Sequence, residues 1–162
     1  MTKNKQQATS NKTTRQQDKM SDLPELVTHG FSLNDSALAF LMLQGEKIIE
    51  NRNFRFSPGF YAVGITKTAY TPVEREFKLK NDFPNLPLSV DCKTRGKIIG
   101  LVRIGYALPS TACATNRWCA NGYKVCNIIT HFLKFDTAVP ASGNFGSWPL
   151  KGAESAVRRA AV

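Results

Sequence analysis

The sequence predicts an α+β domain, and three observations predict it. The segment from Gly96 to Gly105 (GKIIGLVRIG) is rich in β-branched residues and bracketed by glycines, the composition of a strand. Phe60-Tyr61-Ala62-Val63-Gly64-Ile65 is a second short apolar run, entered through a turn at Ser57-Pro58-Gly59. Between Ser36 and Gln44, by contrast, Leu38, Leu41 and Met42 recur at helical spacing and read as core. A chain of 162 residues with 42% hydrophobic content accommodates one domain with tails and a sizeable core.

The charge balance narrows the partners. Lysine and arginine total 22 against 12 acids, a net charge of +10, which favours polyanions: RNA, DNA or an anionic surface. Basic charge also serves solubility alone. Residues 1–22 (MTKNKQQATSNKTTRQQDKMSD) carry a net +3 and almost no large apolar side chains. Such a stretch does not bury enough surface to offset its ordering entropy, so it reads as a disordered basic tail. It has no apolar core of a secretory signal, and Leu, Ala and Arg are sparse for an organelle presequence. An intracellular chain, cytoplasmic or nuclear, is the reading that follows, with organelle targeting left open.

The ordered domain is expected over 23–152, where 15 basic residues face 9 acidic ones. Residues 23–33 read as a first strand. Asn34 or Asp35 supplies the helix N-cap. Residues 66–94 are polar and interrupted by Pro72, Pro84 and Pro87; they read as a long loop with one short helix, a surface excursion or a lid. Further strands are expected over 123–130 and 131–135, and a glycine-rich turn then leads to a short strand around Trp148. Residues 153–162, with Arg158 and Arg159, read as a frayed helix or tail.

The densest polar pattern is Gly45-Glu46-Lys47-Ile48-Ile49-Glu50-Asn51-Arg52, a G-x-K-x-x-E-x-R spacing between the helix and the aromatic segment from Phe54. Gly45 suits a helix end that needs positive φ. In an extended segment Lys47, Ile49 and Asn51 face one way and Ile48, Glu50 and Arg52 the other. Two cations and an anion at that spacing suit a small polar cleft; a solvated surface with a weak Glu50–Arg52 pair is the alternative.

This octet, together with Gly59, the Gly96–Gly100 strand and the closing Val139-Pro140…Gly143…Gly146-x-Trp148-x-Leu150 segment, resembles the ASCH family over residues 26–150 or so. The resemblance implies a PUA-like fold: a small, mostly antiparallel β-barrel with flanking helices and a cleft beside the signature. It implies an RNA-binding module in which Lys47, Glu50, Asn51 and Arg52 contact nucleic acid, with single-stranded or modified RNA first and DNA second. Gly45, Gly59, Gly96, Gly100, Gly143 and Trp148 carry over as structural signature residues. Two departures stand out. Many members have a Pro-Trp pair where this chain has Asn34-Asp35-Ser36-Ala37, which leaves Phe54, Phe60, Tyr61 or Trp118 as replacement stacking walls. The small bacterial members that hydrolyse N4-acetylcytidine have threonine at the position of Glu50. An enzyme of this type, a ribonuclease or nucleoside amidohydrolase, would use Lys47 and Glu50, with Glu50 as general base.

Other chemistry is scarce in the sequence. Cys92, Cys113, Cys119 and Cys126 form no C-x-x-C, His29 stands alone, and neither histidine completes a zinc pattern, so no metal is expected and the thiols read as reduced. Walker A, GxGxxG, GxSxG and HExxH are missing, and no cofactor is implied. No apolar run is long enough to span a bilayer. A third function class, a protein-interaction domain that binds no nucleic acid, fits the same pattern, and the oligomeric state is open.

Overall fold

The computed structural model describes residues 27–87, 93–141 and 146–162. The expectations for residues 1–22, for the first residues of the initial strand, and for Cys92 and Gly143 lie outside them.

The elements run β1 (His29–Leu33), α1 (Ser36–Leu43), β2 (Ile49–Arg52), β3 (Gly59–Ile65), α2 (Pro72–Leu79), β4 (Lys97–Pro109), β5 (Val125–Pro140), β6 (Ser147–Pro149) and α3 (Glu154–Ala161). A single 3-10 turn, Ser110–Cys113, joins β4 to the loop before β5. The six strands form one sheet in the order β2-β5-β4-β3-β1-β6, antiparallel throughout except for the β1–β3 pair. The sheet curls into a half-barrel flanked by three helices. Bulges between Ile98 and Gly100, Arg103 and Ile104, and Ile104 and Tyr106 bend the long β4–β5 ribbon, the usual origin of such a curl.

Alternation along the strands builds two cores. Phe31, Val63, Val102 and Ile104 face the concave side, where α1 plugs the half-barrel with Ala39, Met42 and Leu43. Ala62, Ile98, Leu101 and Trp148 face the other side and are covered by Val157 and Ala161 of α3. Each fully buried side chain of this size contributes about 1.5–3 kcal/mol. The helix SALAFLML is apolar nearly all round because its far face is covered too: Leu38 packs into a third cluster with Ile49, Phe83 and Trp118.

Two expectations need adjusting and a third holds. The two strands expected over 123–130 and 131–135 are one continuous strand, β5, whose bulges replace a turn. Residues 153–162 are part of the domain rather than a tail, because Val157 and Ala161 complete the second core. The short helix expected within 66–94 is α2, with a reciprocal capping box between Thr71 and Glu74.

No residue of α2 is itself buried, and Val73 and Phe77 are largely exposed. Leu79 packs against the third core cluster, and a polar clamp holds the middle of the helix: Arg75 Nε donates to Asp35 Oδ2 at 2.5 Å, and Arg75 Nη2 donates to Pro87 O. Asp35 also caps α1 through Leu38 N. Replacing Arg75 by alanine is therefore expected to speed amide exchange across 72–79 while leaving β3–β5 unchanged. Uniform acceleration over the whole sheet would show that α2 is integral to the core instead. Among the described residues no helix is long and apolar enough to cross a membrane.

Candidate functional site: a buried Lys–Glu–Arg network under an open cleft

The turn after α1 sets the site. Gly45 adopts φ +80, and the amides of Glu46 and Lys47 both donate to Leu41 O at 3.0 and 3.1 Å. A Cβ on Gly45 would also collide with the Phe132 ring. This turn folds Lys47 back beneath the helix before the extended geometry of β2 begins at Ile49. Lys47 therefore escapes the alternation expected of it and joins Glu50 and Arg52.

Glu50 is the centre of the cluster. Its Oε2 accepts from Lys47 Nζ at 3.1 Å and its Oε1 from Arg52 Nε at 2.8 Å. Lys47 Nζ also donates to Ile49 O. Lys47 is 2% exposed and Glu50 3%. The weak exposed pair considered from sequence is therefore part of a three-residue network in which Lys47 and Glu50 are buried and Arg52 is partly exposed.

Arg52 does more than balance charge. Its Nη2 donates to Ser32 O at 3.2 Å, and its guanidinium lies 5.8 Å from the Phe31 ring centroid. β2 and β1 are separated by three intervening strands in the sheet, so this bond ties the two sides of the half-barrel together. Asn51 turns instead to the loop after the 3-10 turn: its Nδ2 donates to Trp118 O at 2.9 Å and its Oδ1 accepts from Ala120 N at 3.0 Å.

Above the network opens a cleft of about 600 Å³, with Lys47, Glu50, Asn51 and Arg52 in its lining. All four residues expected at the site are thus brought together. Its aromatic members are Tyr70, Phe83 and Tyr123, not the four anticipated. Tyr61 and Trp118 are buried, Phe60 packs into the second core, and Phe54 stacks edge-on against Phe56. Tyr123 is 43% exposed, while Lys78 lies 4.9 Å over the Tyr70 ring at the α2 side.

Asn127 is the supporting residue that sequence reasoning missed. Wholly buried opposite Glu50 on β5, it donates through Nδ2 to Glu50 O and Phe54 O and accepts from Phe56 N at 2.9 Å. It fixes the backbone that carries Glu50. A lone asparagine in an apolar strand gives little sign of this from sequence.

The signature residues serve the frame. Gly59 opens β3, Gly96 turns into β4 with φ +72, Gly100 lies inside β4, and Trp148 Nε1 donates to Ser32 Oγ at 3.2 Å. Among the described residues no group of three His, Cys, Asp or Glu side chains is arranged to hold a metal ion. No protein-family model matches the chain and no curated protein matches it, so its site is defined by this geometry alone.

Proposed function

We propose that the chain is an RNA-binding module of ASCH type with a PUA-like fold, and that its cleft takes an unstacked base of single-stranded or modified RNA. One observation carries this reading: a rigid cation–carboxylate–cation network forms the floor of an open cleft whose rim offers tyrosines. The volume, about 600 Å³, falls in the range of small-molecule sites and is ample for a nucleoside. Single-stranded RNA is read through splayed bases stacked on aromatic or guanidinium planes, with hydrogen bonds to base edges. Tyr123 is the exposed stacking surface. Arg52, 20% exposed, offers donors to a base carbonyl or phosphate, and Lys78 adds a cation at the rim. The excess of basic residues supplies the salt-dependent part of affinity.

Binding is favoured over catalysis by the state of Lys47. Its ammonium is engaged by Ile49 O and Glu50 and is almost fully buried, which suits a fixed positive charge better than a nucleophile.

The test is binding of labelled single-stranded RNA, duplex RNA and DNA across a salt series, with RNA integrity followed in the same samples. Tyr123→Ala, a surface change, is expected to weaken single-stranded RNA binding about tenfold, as for a lost stacking contact of about 1–3 kcal/mol. Duplex binding should change little. Equal affinity of wild type and variant for every nucleic acid would remove the cleft from RNA recognition. Shortened RNA with wild type alone would instead identify a nuclease.

A further inference from the structure

The third core cluster contains a group of thiols that the cleft reading does not use. Cys119 Sγ lies 3.6 Å from Cys126 Sγ and 3.6 Å from Ser110 O. Cys126 is completely buried on β5, Cys113 is buried beside it, and Cys119 is half-buried. Each is a free thiol.

What lies on either side of Cys119 gives the pair consequence. Trp118 O and Ala120 N, its two neighbours, are the groups held by the Asn51 side chain. Cys126 is itself the β5 residue paired with Asn51 across the sheet. The thiols therefore sit directly behind the wall of the cleft.

We propose that Cys119 and Cys126 form a reversible disulfide with hydrogen peroxide as oxidant, and that its formation reshapes the Ala120–Tyr123 wall of the cleft. The sulfur of Cys119 attacks the peroxide O–O bond, giving a sulfenic acid and releasing one water. The sulfur of Cys126 then displaces the sulfenic hydroxyl as a second water, closing the S–S bond. Two thiols lose two electrons and two protons, and one peroxide becomes two waters.

The order of events follows from the surroundings. The Cys126 thiol is pushed up to about 12, chiefly by burial and then by hydrogen bonds from Cys119 and Cys113. It keeps its proton while the half-buried Cys119 meets the oxidant first, and gives it up to the departing sulfenic hydroxyl when its sulfur closes the bond.

Closing the bond brings the sulfurs from 3.6 Å to about 2.0 Å. β5 is held on both sides, by β2 and β4, so the movement falls on the loop that carries Cys119. The loop's bonds to Asn51 are the ones to yield. This inference concerns the thiols and the wall and stands whether or not RNA is the ligand.

The test treats the full chain with hydrogen peroxide, then maps disulfides by peptide mass spectrometry and follows amide exchange. A linked Cys119–Cys126 peptide is expected, reversed by a thiol reductant. Exchange at the Ala120 amide should rise about fivefold or more, as for loss of one hydrogen bond. Cys119→Ser should abolish the link and the exchange change, whereas Cys113→Ser and Cys92→Ser should retain both. Linkage through Cys92 or Cys113 instead, or a Cys119–Cys126 link with unchanged Ala120 exchange, would overturn the proposal.

Discussion

Replacing Glu50 by alanine is expected to lower the unfolding free energy by about 3–5 kcal/mol, measured by chemical denaturation. The magnitude is that of breaking a buried ion pair by removing one partner. Lys47, 2% exposed, would keep only Ile49 O as an acceptor, and Arg52 would lose its 2.8 Å carboxylate partner. Lys47→Met should cost less, because Glu50 keeps Arg52 and the methionine fills the vacated space with apolar atoms. The double substitution Lys47→Met with Glu50→Leu should recover part of the Glu50→Ala loss, since well-packed apolar groups commonly replace a buried pair at little cost. A Glu50→Ala penalty below about 1 kcal/mol would mean that water reaches the network and that the site is not rigid.

Gly100→Ala is expected to be nearly as damaging, at about 3 kcal/mol or more. At this position in β4 an added Cβ would collide with the backbone carbonyl of Leu133 on β5. It would also meet Leu43 Cδ1 and Cδ2 of α1 at 2.7 and 2.8 Å. The leucine methyls have some freedom to shift, but the carbonyl belongs to the backbone of β5, held in register against β4 at Leu101–Leu133. Overpacking of this kind typically costs about 1–3 kcal/mol, and a backbone obstacle places it at the upper end. Adding Leu43→Ala to Gly100→Ala separates the two obstacles: relief of the helix contact should leave the strand contact in place. Wild-type stability for Gly100→Ala would show that β4 and β5 separate easily at the bulge.

Both residues were visible in the sequence, for different reasons. Gly100 stood out as a signature glycine within a β-branched run, whereas the close approach of the Leu133 carbonyl to it follows from the pairing of β4 with β5. Glu50 stood out through its spacing from Lys47 and Arg52. Its burial did not, because burial is decided by the turn at Gly45 and by the curl of the sheet, both tertiary outcomes. The same limit explains Lys47: strand alternation puts it opposite Glu50, but the strand starts two residues later. The helix cap at Asp35 was legible as local chemistry, whereas its pairing with Arg75 across 40 residues was not. The aromatic rim follows the same division. Tyr70 and Phe83 lie in a polar, proline-broken segment whose composition suggests only a loop, and its placement rests on distant partners: the Asp35–Arg75 ion pair and the packing of Phe83 against Trp118. The three clustered thiols are spaced without any motif; the return of β5 along β4, which sets Cys126 opposite Leu108 and beside the 3-10 turn, brings them together.

The position of β1 has a bearing on how the chain matures as it is synthesised. β1 precedes the other strands of the sheet in chain order, yet one of its edges is covered by β3 and the other only by β6, the strand that comes last in that order. Until residues 147–149 emerge, the edge of β1 that carries Gly30 and Phe31 has no partner in the sheet. Nascent chains stalled before that point present an open strand edge, the feature most prone to capture by another chain. Residues 147–149 thus act as an intramolecular chaperone for β1, and their arrival replaces a five-residue open edge with a three-residue one.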